Sequence, residues 1–334
     1  MANATNGGSR PQSIFIFDNM RSRSHLFFRW LSTSPGLAPI YHPFILAMFL
    51  GPERFTRFTR NSESRNKENN EALLLIYGDD THESCSRKLR SDIMKAQQAV
   101  SRGSRATFSP GSKSDLTFLG QDTVDERAFY QQSAAGHSPQ DDPRRARVAR
   151  GWSTEPTNLS DEVLDTCTPI MIIRHPAMQV SSVYQSMVAL TQCRPGDEDF
   201  EIATTLTLSR ALYDFLCSWG KTPIIVDAED MLWRTQDLVT NICNALGIDA
   251  KDIQDRWDPV PFEKRPSKSI LVAWTEVIWK SSGIERPMTK PAEPTLNAYY
   301  KIWVEKYGVE VAEQLKGLVQ KNMPHYEYLK QSKV

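Results

Sequence analysis

The feature that most constrains the fold of this 334-residue chain is a set of short, unbroken apolar runs: SIFIF at 13–17, APIY at 38–41, ALLLIY at 72–77, PIMIIR at 169–174 and TPIIVD at 222–227. Continuous apolar runs without in–out alternation belong to strands covered on both faces, the situation of a parallel sheet. Segments with apolar residues at helical spacing lie between several of them, at 24–32, 177–190, 201–219 and 235–246, the last stopped by Gly247. Strands alternating with helices predict an α/β fold, a doubly wound parallel sheet. Helical period at 269–283 and 296–320 predicts a helical C-terminal part.

Residues 1–12 are polar and are expected to be a flexible N-terminus, with 13–330 forming a single domain. Two stretches interrupt the pattern. Residues 52–71 are charged and polar, a loop or a solvated helix face. Residues 101–150 are rich in Ser, Arg, Gln and Gly and predict a variable, partly disordered insertion. Forty basic residues balance forty acidic ones. No global field then draws nucleic acid or anionic lipid, and any anion site must be local. Five widely spaced cysteines fit neither a disulfide framework nor a zinc site. The most apolar early stretch, PFILAMFLG at 43–51, is too short to span a bilayer. A cytoplasmic protein without a membrane span is expected.

Chemistry concentrates in two places. The first is DNMRSRS at 18–24, between the first strand and the helix that follows. At the carboxyl end of a parallel strand, the opening N–H groups of the next helix and its dipole bind phosphate or sulfate. Arg21 and Arg23 add fork-shaped cationic donors, and Ser22 and Ser24 add hydroxyls able to cap the helix. The segment reads as a phosphate cradle, although a surface turn with two arginines is the ordinary alternative. The glycine-rich loop GxxxxGK[ST] is absent, and this loop holds no glycine. The second place is TPIMIIRHPAMQVSSVYQSM at 168–187, where Arg174 ends a strand and Ser182 follows eight residues later on a helix. A cation and a hydroxyl offered from two elements suit a phosphate; a structural ion pair is the competing explanation.

These residues resemble the P-loop sulfotransferase superfamily, in the version found among divergent proteins of microbial and fungal secondary metabolism. In NMRSRSHLFFRWL, Arg21 falls at the basic position of the family's 5′-phosphosulfate loop, Ser22 follows it, Ser24 falls on a hydroxyl position, and Arg23 stands where the family has glycine. Arg174, Pro176 and Ser182 match the family's second signature, whose arginine and serine hold the 3′-phosphate. The stretch PIIVDAEDMLWRTQDL is similar to the family's strand and YEDL-like turn. The resemblance implies 3′-phosphoadenosine 5′-phosphosulfate (PAPS) as co-substrate, no metal, and transfer of a sulfuryl group to a hydroxyl of a small, apolar acceptor. The family's Lys-x-His-x-Pro pattern, which carries its catalytic histidine, does not occur here; the strand bearing it would fall near 101–120.

A base must then come from elsewhere. His42, at the end of the second apolar run, is the first candidate and His82, after the third, is the second. His25 sits in the first turn of the anion-site helix. His175, before Pro176, is read as structural. Trp257, Trp274, Trp279 and Trp303 line an apolar pocket or pack the core. Two further functions stay open at this level: a repurposed cyclase, dehydratase or isomerase of a natural-product pathway, and a non-catalytic nucleotide-binding protein.

Overall fold

A computed structural model describes residues 13–37, 39–40, 44, 52, 78–101, 117–120, 159, 161–190, 193–262, 276–286, 288 and 295–334. Four parallel strands form its sheet, β1 (Ser13–Asp18), β2 (Thr117–Gly120), β3 (Cys167–Ile173) and β4 (Ile224–Asp227), in the order β2-β1-β3-β4. The register sets Asp18 opposite Ile172 and Ile173 opposite Asp227. The carboxyl ends of β1, β3 and β4 therefore lie side by side, and the loops that leave them emerge together.

The middles of β1, β3 and β4 are apolar because both faces are covered. Ile14, Ile16, Ile170, Ile172, Ile224 and Val226 pack on one side against α1 (Ser24–Leu31), α7 (Asp230–Trp233) and α8 (Thr235–Leu246). Phe15, Phe17, Met171, Ile173 and Ile225 pack on the other. There they meet α2 (His82–Ser101), α3 (Asp161–Thr166), α6 (Thr207–Ser218) and α10 (Val309–Lys330). This is the doubly wound α/β arrangement. A third apolar cluster joins α4 (Pro176–Leu190), α5 (Glu198–Thr204), α9 (Leu296–Tyr307) and α10, with Trp303 fully buried in it.

Several expectations need correction. Pro39 and Ile40, the described residues of 38–41, lie outside the sheet; proline has no N–H to give a ladder. The run at 72–77, His42 and Trp274 fall outside the described residues, as does 52–71 apart from Pro52. Of the span 101–150, expected to be a variable, partly disordered insertion, the described residues are 101 and the strand β2, which pairs with β1. The helix expected over 201–219 is two helices. Thr205 is extended, and Leu206 N donates to Asn322 Oδ1 at 2.6 Å instead of continuing the ladder. The helix expected over 296–320 is broken by Gly308 at φ +85°, a conformation that favours glycine. Its second half then runs on to Lys330 through Pro324. A buried stripe of Ala312, Leu315, Val319, Asn322, Tyr326 and Leu329 carries it past the proline.

Candidate functional site

The loop between β1 and α1 is unusual in its backbone. Arg21 and Arg23 both sit at φ +65°, in the left-handed region, on either side of a fully buried Ser22. For residues with a Cβ this costs roughly 1–2 kcal/mol each, and the surroundings over-determine it. Ser22 N donates to Asn19 O at 3.1 Å and Arg174 Nη1 to Arg21 O at 2.9 Å. Gln179 Nε2, from α4, donates to Met20 O at 3.2 Å. Asn19, almost fully buried, donates through Nδ2 to Thr205 O at 3.1 Å and accepts from the Ser209 hydroxyl. The split between α5 and α6 thus has a use: it offers the carbonyl that anchors the loop.

The side chains converge as well. Arg21 Nε donates to Ser182 Oγ at 3.0 Å, joining the loop after β1 to the helix after β3. Arg174 Nε lies 3.3 Å from Glu229 Oε1, and Arg23 Nη1 lies 3.0 Å from Glu229 Oε2, so one carboxylate bridges two arginines. Glu229 is set by the turn after β4. Its N–H donates to Asp227 Oδ1 at 3.1 Å, while Asp227 Oδ2 accepts from Tyr326 OH at 2.6 Å. Ala228 N reaches across to Ile173 O at 2.8 Å. The structure therefore brings together Arg21, Ser22, Arg23, Ser24, Arg174 and Ser182, and pairs Ser182 with Arg21 rather than with Arg174.

Four buried polar atoms here have no hydrogen-bond partner among the described residues: Asp18 Oδ1, Ser22 Oγ, Arg23 Nη1 and Gln179 Oε1. Arg23 Nη1 is within ion-pair distance of Glu229 but not aligned for a hydrogen bond. Buried groups in this condition mark a site for water or a ligand. The first N–H groups of α1 open onto the same loop, and no acidic residue occupies its first turn.

Burial shapes the charges. It lowers Arg174 to about 10, assisted by Arg23 and opposed by Glu229. Burial also lowers Arg21, and both remain cations at neutral pH. His25 is pushed down to about 4 by burial and then by Arg21, so its imidazole is neutral. The carboxyl of Asp18 is pushed up to about 7 by burial, against a hydrogen bond from Ser24. Tyr299 of α9 lies within electrostatic range of Arg174, Glu229 and Arg23, its hydroxyl raised mainly by burial.

Other candidates have different places. His82 opens α2, where Thr81 and Ser84 exchange capping hydrogen bonds at 3.0 Å. His175 Nδ1 accepts from Ala177 N at 3.2 Å and its ring packs edge-on against Tyr326. Trp303 and Trp279 are buried, and Trp303 Nε1 donates to Ser181 Oγ. Trp257 Nε1 donates to Ser281 Oγ. Among the described residues, no group of three or more His, Cys, Asp or Glu side chains is placed to hold a metal ion, and no helix is long and apolar enough to cross a membrane. Sequence reasoning missed Glu229, Gln179, Asn19 and Tyr299. Only Glu229 had a signal, its position in the acidic turn after the last strand.

The backbone at Arg23 yields a direct test. Arg23→Gly relieves about 1 kcal/mol of left-handed strain and loses a half-buried ion pair worth about as much. The melting temperature is expected to stay within a few degrees, while affinity for a phosphate ligand falls about tenfold, the loss of one modest charged contact. A several-degree drop in melting temperature with unchanged affinity would make Arg23 a structural residue only.

No family model matches the chain. It is 29% identical over 188 residues to sulfotransferase ppzF of Metarhizium majus, covering 52% of this chain and 55% of that protein. Against sulfotransferase ppzF of Metarhizium rileyi it is 28% identical over 213 residues, covering 58% and 62%. The chain thus spans less than two thirds of the length of these curated relatives. The sulfotransferase domain of the Synechococcus PCC 7002 olefin synthase aligns over 91% of this chain and 94% of its own at 17% identity, with a TM-score of 0.30, too loose to carry an argument. Over these 188 and 213 residues the chain is similar to both sulfotransferases.

Proposed function

We propose that this protein transfers a sulfuryl group from PAPS to the hydroxyl of a small, apolar acceptor in the cytoplasm, with 13–330 acting as one catalytic unit. The observation that supports it most is the meeting of Arg21, Arg23 and Arg174 at the adjoining carboxyl ends of β1 and β3, around buried Ser22. Arg21, Arg23, the loop N–H groups and Ser24 suit a 5′-phosphosulfate; Arg174 suits the 3′-phosphate, with Ser182 reached through Arg21. Transfer then needs alignment and neutralisation of charge on the leaving oxygen, which fixed guanidinium and N–H donors supply without reorganising. A base removes the acceptor's proton, and His42 and His82 are the candidates. The neutral imidazole of His25 adds no charge to the loop.

The test is calorimetric titration with 3′-phosphoadenosine 5′-phosphate, followed by assay of its release from PAPS over a panel of hydroxylated aromatic and terpenoid acceptors. Binding and acceptor-dependent release are expected. Absence of binding, with turnover of an acceptor by another route, would make this a repurposed enzyme. Binding without turnover of any acceptor would make it a nucleotide-binding protein.

A further inference from the structure

The carboxylate of Glu229 occupies the two ion-pair contacts that a phosphate would seek at this site. Two guanidiniums, Arg23 and Arg174, pair with it, and Arg174 also bonds the carbonyl of Arg21. The other acidic groups of the same turn are committed elsewhere: Asp227 to Tyr326 and Glu229 N, Asp230 to Lys333 at 2.8 Å and Arg234 at 3.5 Å. Asp18 ends β1 and is hydrogen-bonded by Ser24.

Such a carboxylate either orients the arginines for a ligand or competes with it. The arginines decide between these roles. Arg174 donates to Glu229 through Nε at 3.3 Å but has a second, shorter anchor in its 2.9 Å bond to Arg21 O, and Arg21 is held by Ser182 Oγ. Arg23 meets Glu229 at 3.0 Å by charge alone, its Nη1 lacking an aligned acceptor among the described residues. Glu229 is therefore the sole anchor of neither Arg174 nor Arg21. Its side chain and that of Arg23 keep 21% and 24% of their surface in solvent, so the carboxylate has a way out.

We propose that Glu229 is a built-in competitor that makes the site select dianions over monoanions. A monoanion replacing it exchanges one carboxylate-like charge for another and still loses its translational freedom. A phosphomonoester or sulfate brings a second charge and a third oxygen, and aligned bonds for the Nη1 that Glu229 leaves unsatisfied. A nucleotide bearing a free phosphomonoester at this corner outcompetes the side chain; one lacking it does not. The inference rests on the anion-site reading above but not on sulfuryl transfer.

The probes are inorganic sulfate, formate and 3′-phosphoadenosine 5′-phosphate, titrated calorimetrically into the full chain and into E229Q. The wild type is expected to bind sulfate weakly and formate not measurably. In E229Q the sulfate dissociation constant is expected to fall at least tenfold, formate binding becomes measurable, and the advantage of dianion over monoanion shrinks. Sulfate affinity that is unchanged or weaker in E229Q would overturn the proposal and make Glu229 an orienting residue. Should E229Q fail to fold, E229D, too short to span both arginines, is expected to shift sulfate affinity in the same direction by a smaller factor, and no shift or a weakening overturns the proposal equally. If sulfate behaves as expected and the nucleotide binds neither protein, the PAPS reading fails while the role of Glu229 stands.

Discussion

Replacing Arg174 by alanine is expected to lower affinity for 3′-phosphoadenosine 5′-phosphate about a hundredfold, close to 3 kcal/mol. A guanidinium bonding a phosphate in a partly desolvated corner supplies on the order of 1.5–3 kcal/mol per charge-assisted bond. Arg174 is well placed for this because burial has already removed most of its water, with Arg23 beside it adding unfavourable like charge. An incoming anion relieves both. Stability should fall less. The variant loses the bond to Arg21 O and the longer bond to Glu229, which keeps its contact with Arg23, so a cost of about 2 kcal/mol is expected. Arg21→Ala should move affinity in the same direction, since Arg21 also carries the link to Ser182. Calorimetry well below the melting temperature separates the two effects. Unchanged affinity with a lowered melt would reduce Arg174 to a structural ion pair and remove the enzymatic reading with it.

Why two arginines 153 positions apart could be paired from sequence, and a glutamate 55 positions further could not, follows from what each residue type announces. Arg21 and Arg174 stand at the ends of continuous apolar runs, and in a parallel sheet all such ends share one edge. Strand adjacency then follows from topology, here β1 beside β3. Glu229 also follows a strand, but a carboxylate in the turn DAED is ordinary helix-start chemistry, and nothing local shows that it points back at the sheet. That depends on Asp227 being held by Tyr326, a contact across 99 positions. The break between α5 and α6 was illegible for a similar reason. Residues 201–219 keep helical spacing throughout, and the interruption is imposed by Asn322 from α10 taking Leu206 N. The C-terminal helices show the reverse case. Gly308 is a local helix breaker, but the apolar period of 296–320 runs straight through it, so spacing alone predicts one helix. Strand β2, four residues within a polar tract, carried too short a pattern to stand out from its surroundings.

The missing loop glycine has a physical counterpart. A left-handed residue directly before a helix is where glycine is cheapest, and the chain places Arg23 there at φ +65°. Charge has been gained at the expense of backbone ease, and the loop depends all the more on Gln179, Arg174 and Asn19 to hold its shape. A sequence reader sees only that glycine is absent. The structure shows that the conformation is kept and the side chain added.

Asp18→Asn is expected to stabilise the protein at pH 8 by about 2 kcal/mol and to leave it unchanged at pH 4. The folded-state carboxyl titrates near 7, raised by burial from its ordinary 3.8. Below about pH 4 the group is protonated in folded and unfolded chains alike, and it distinguishes neither. Between 4 and 7 the unfolded chain releases a proton that the folded chain retains, so stability falls as pH rises, and above 7 the full penalty of a buried carboxylate remains. A three-unit shift corresponds to roughly 4 kcal/mol; about half is kept here because Asp18 is only partly enclosed at the end of β1. Asparagine retains an oxygen for the Ser24 hydroxyl and removes the charge. Urea midpoints measured from pH 4 to 8 should converge at the acid end and separate at the alkaline end, and parallel curves would contradict the assignment. The same change bears on the site. An ionised Asp18, at the end of β1 and bonded to Ser24, opposes any anion bound at the loop that follows, so sulfate affinity in the wild type should weaken as pH passes 7, and in the asparagine variant it should not.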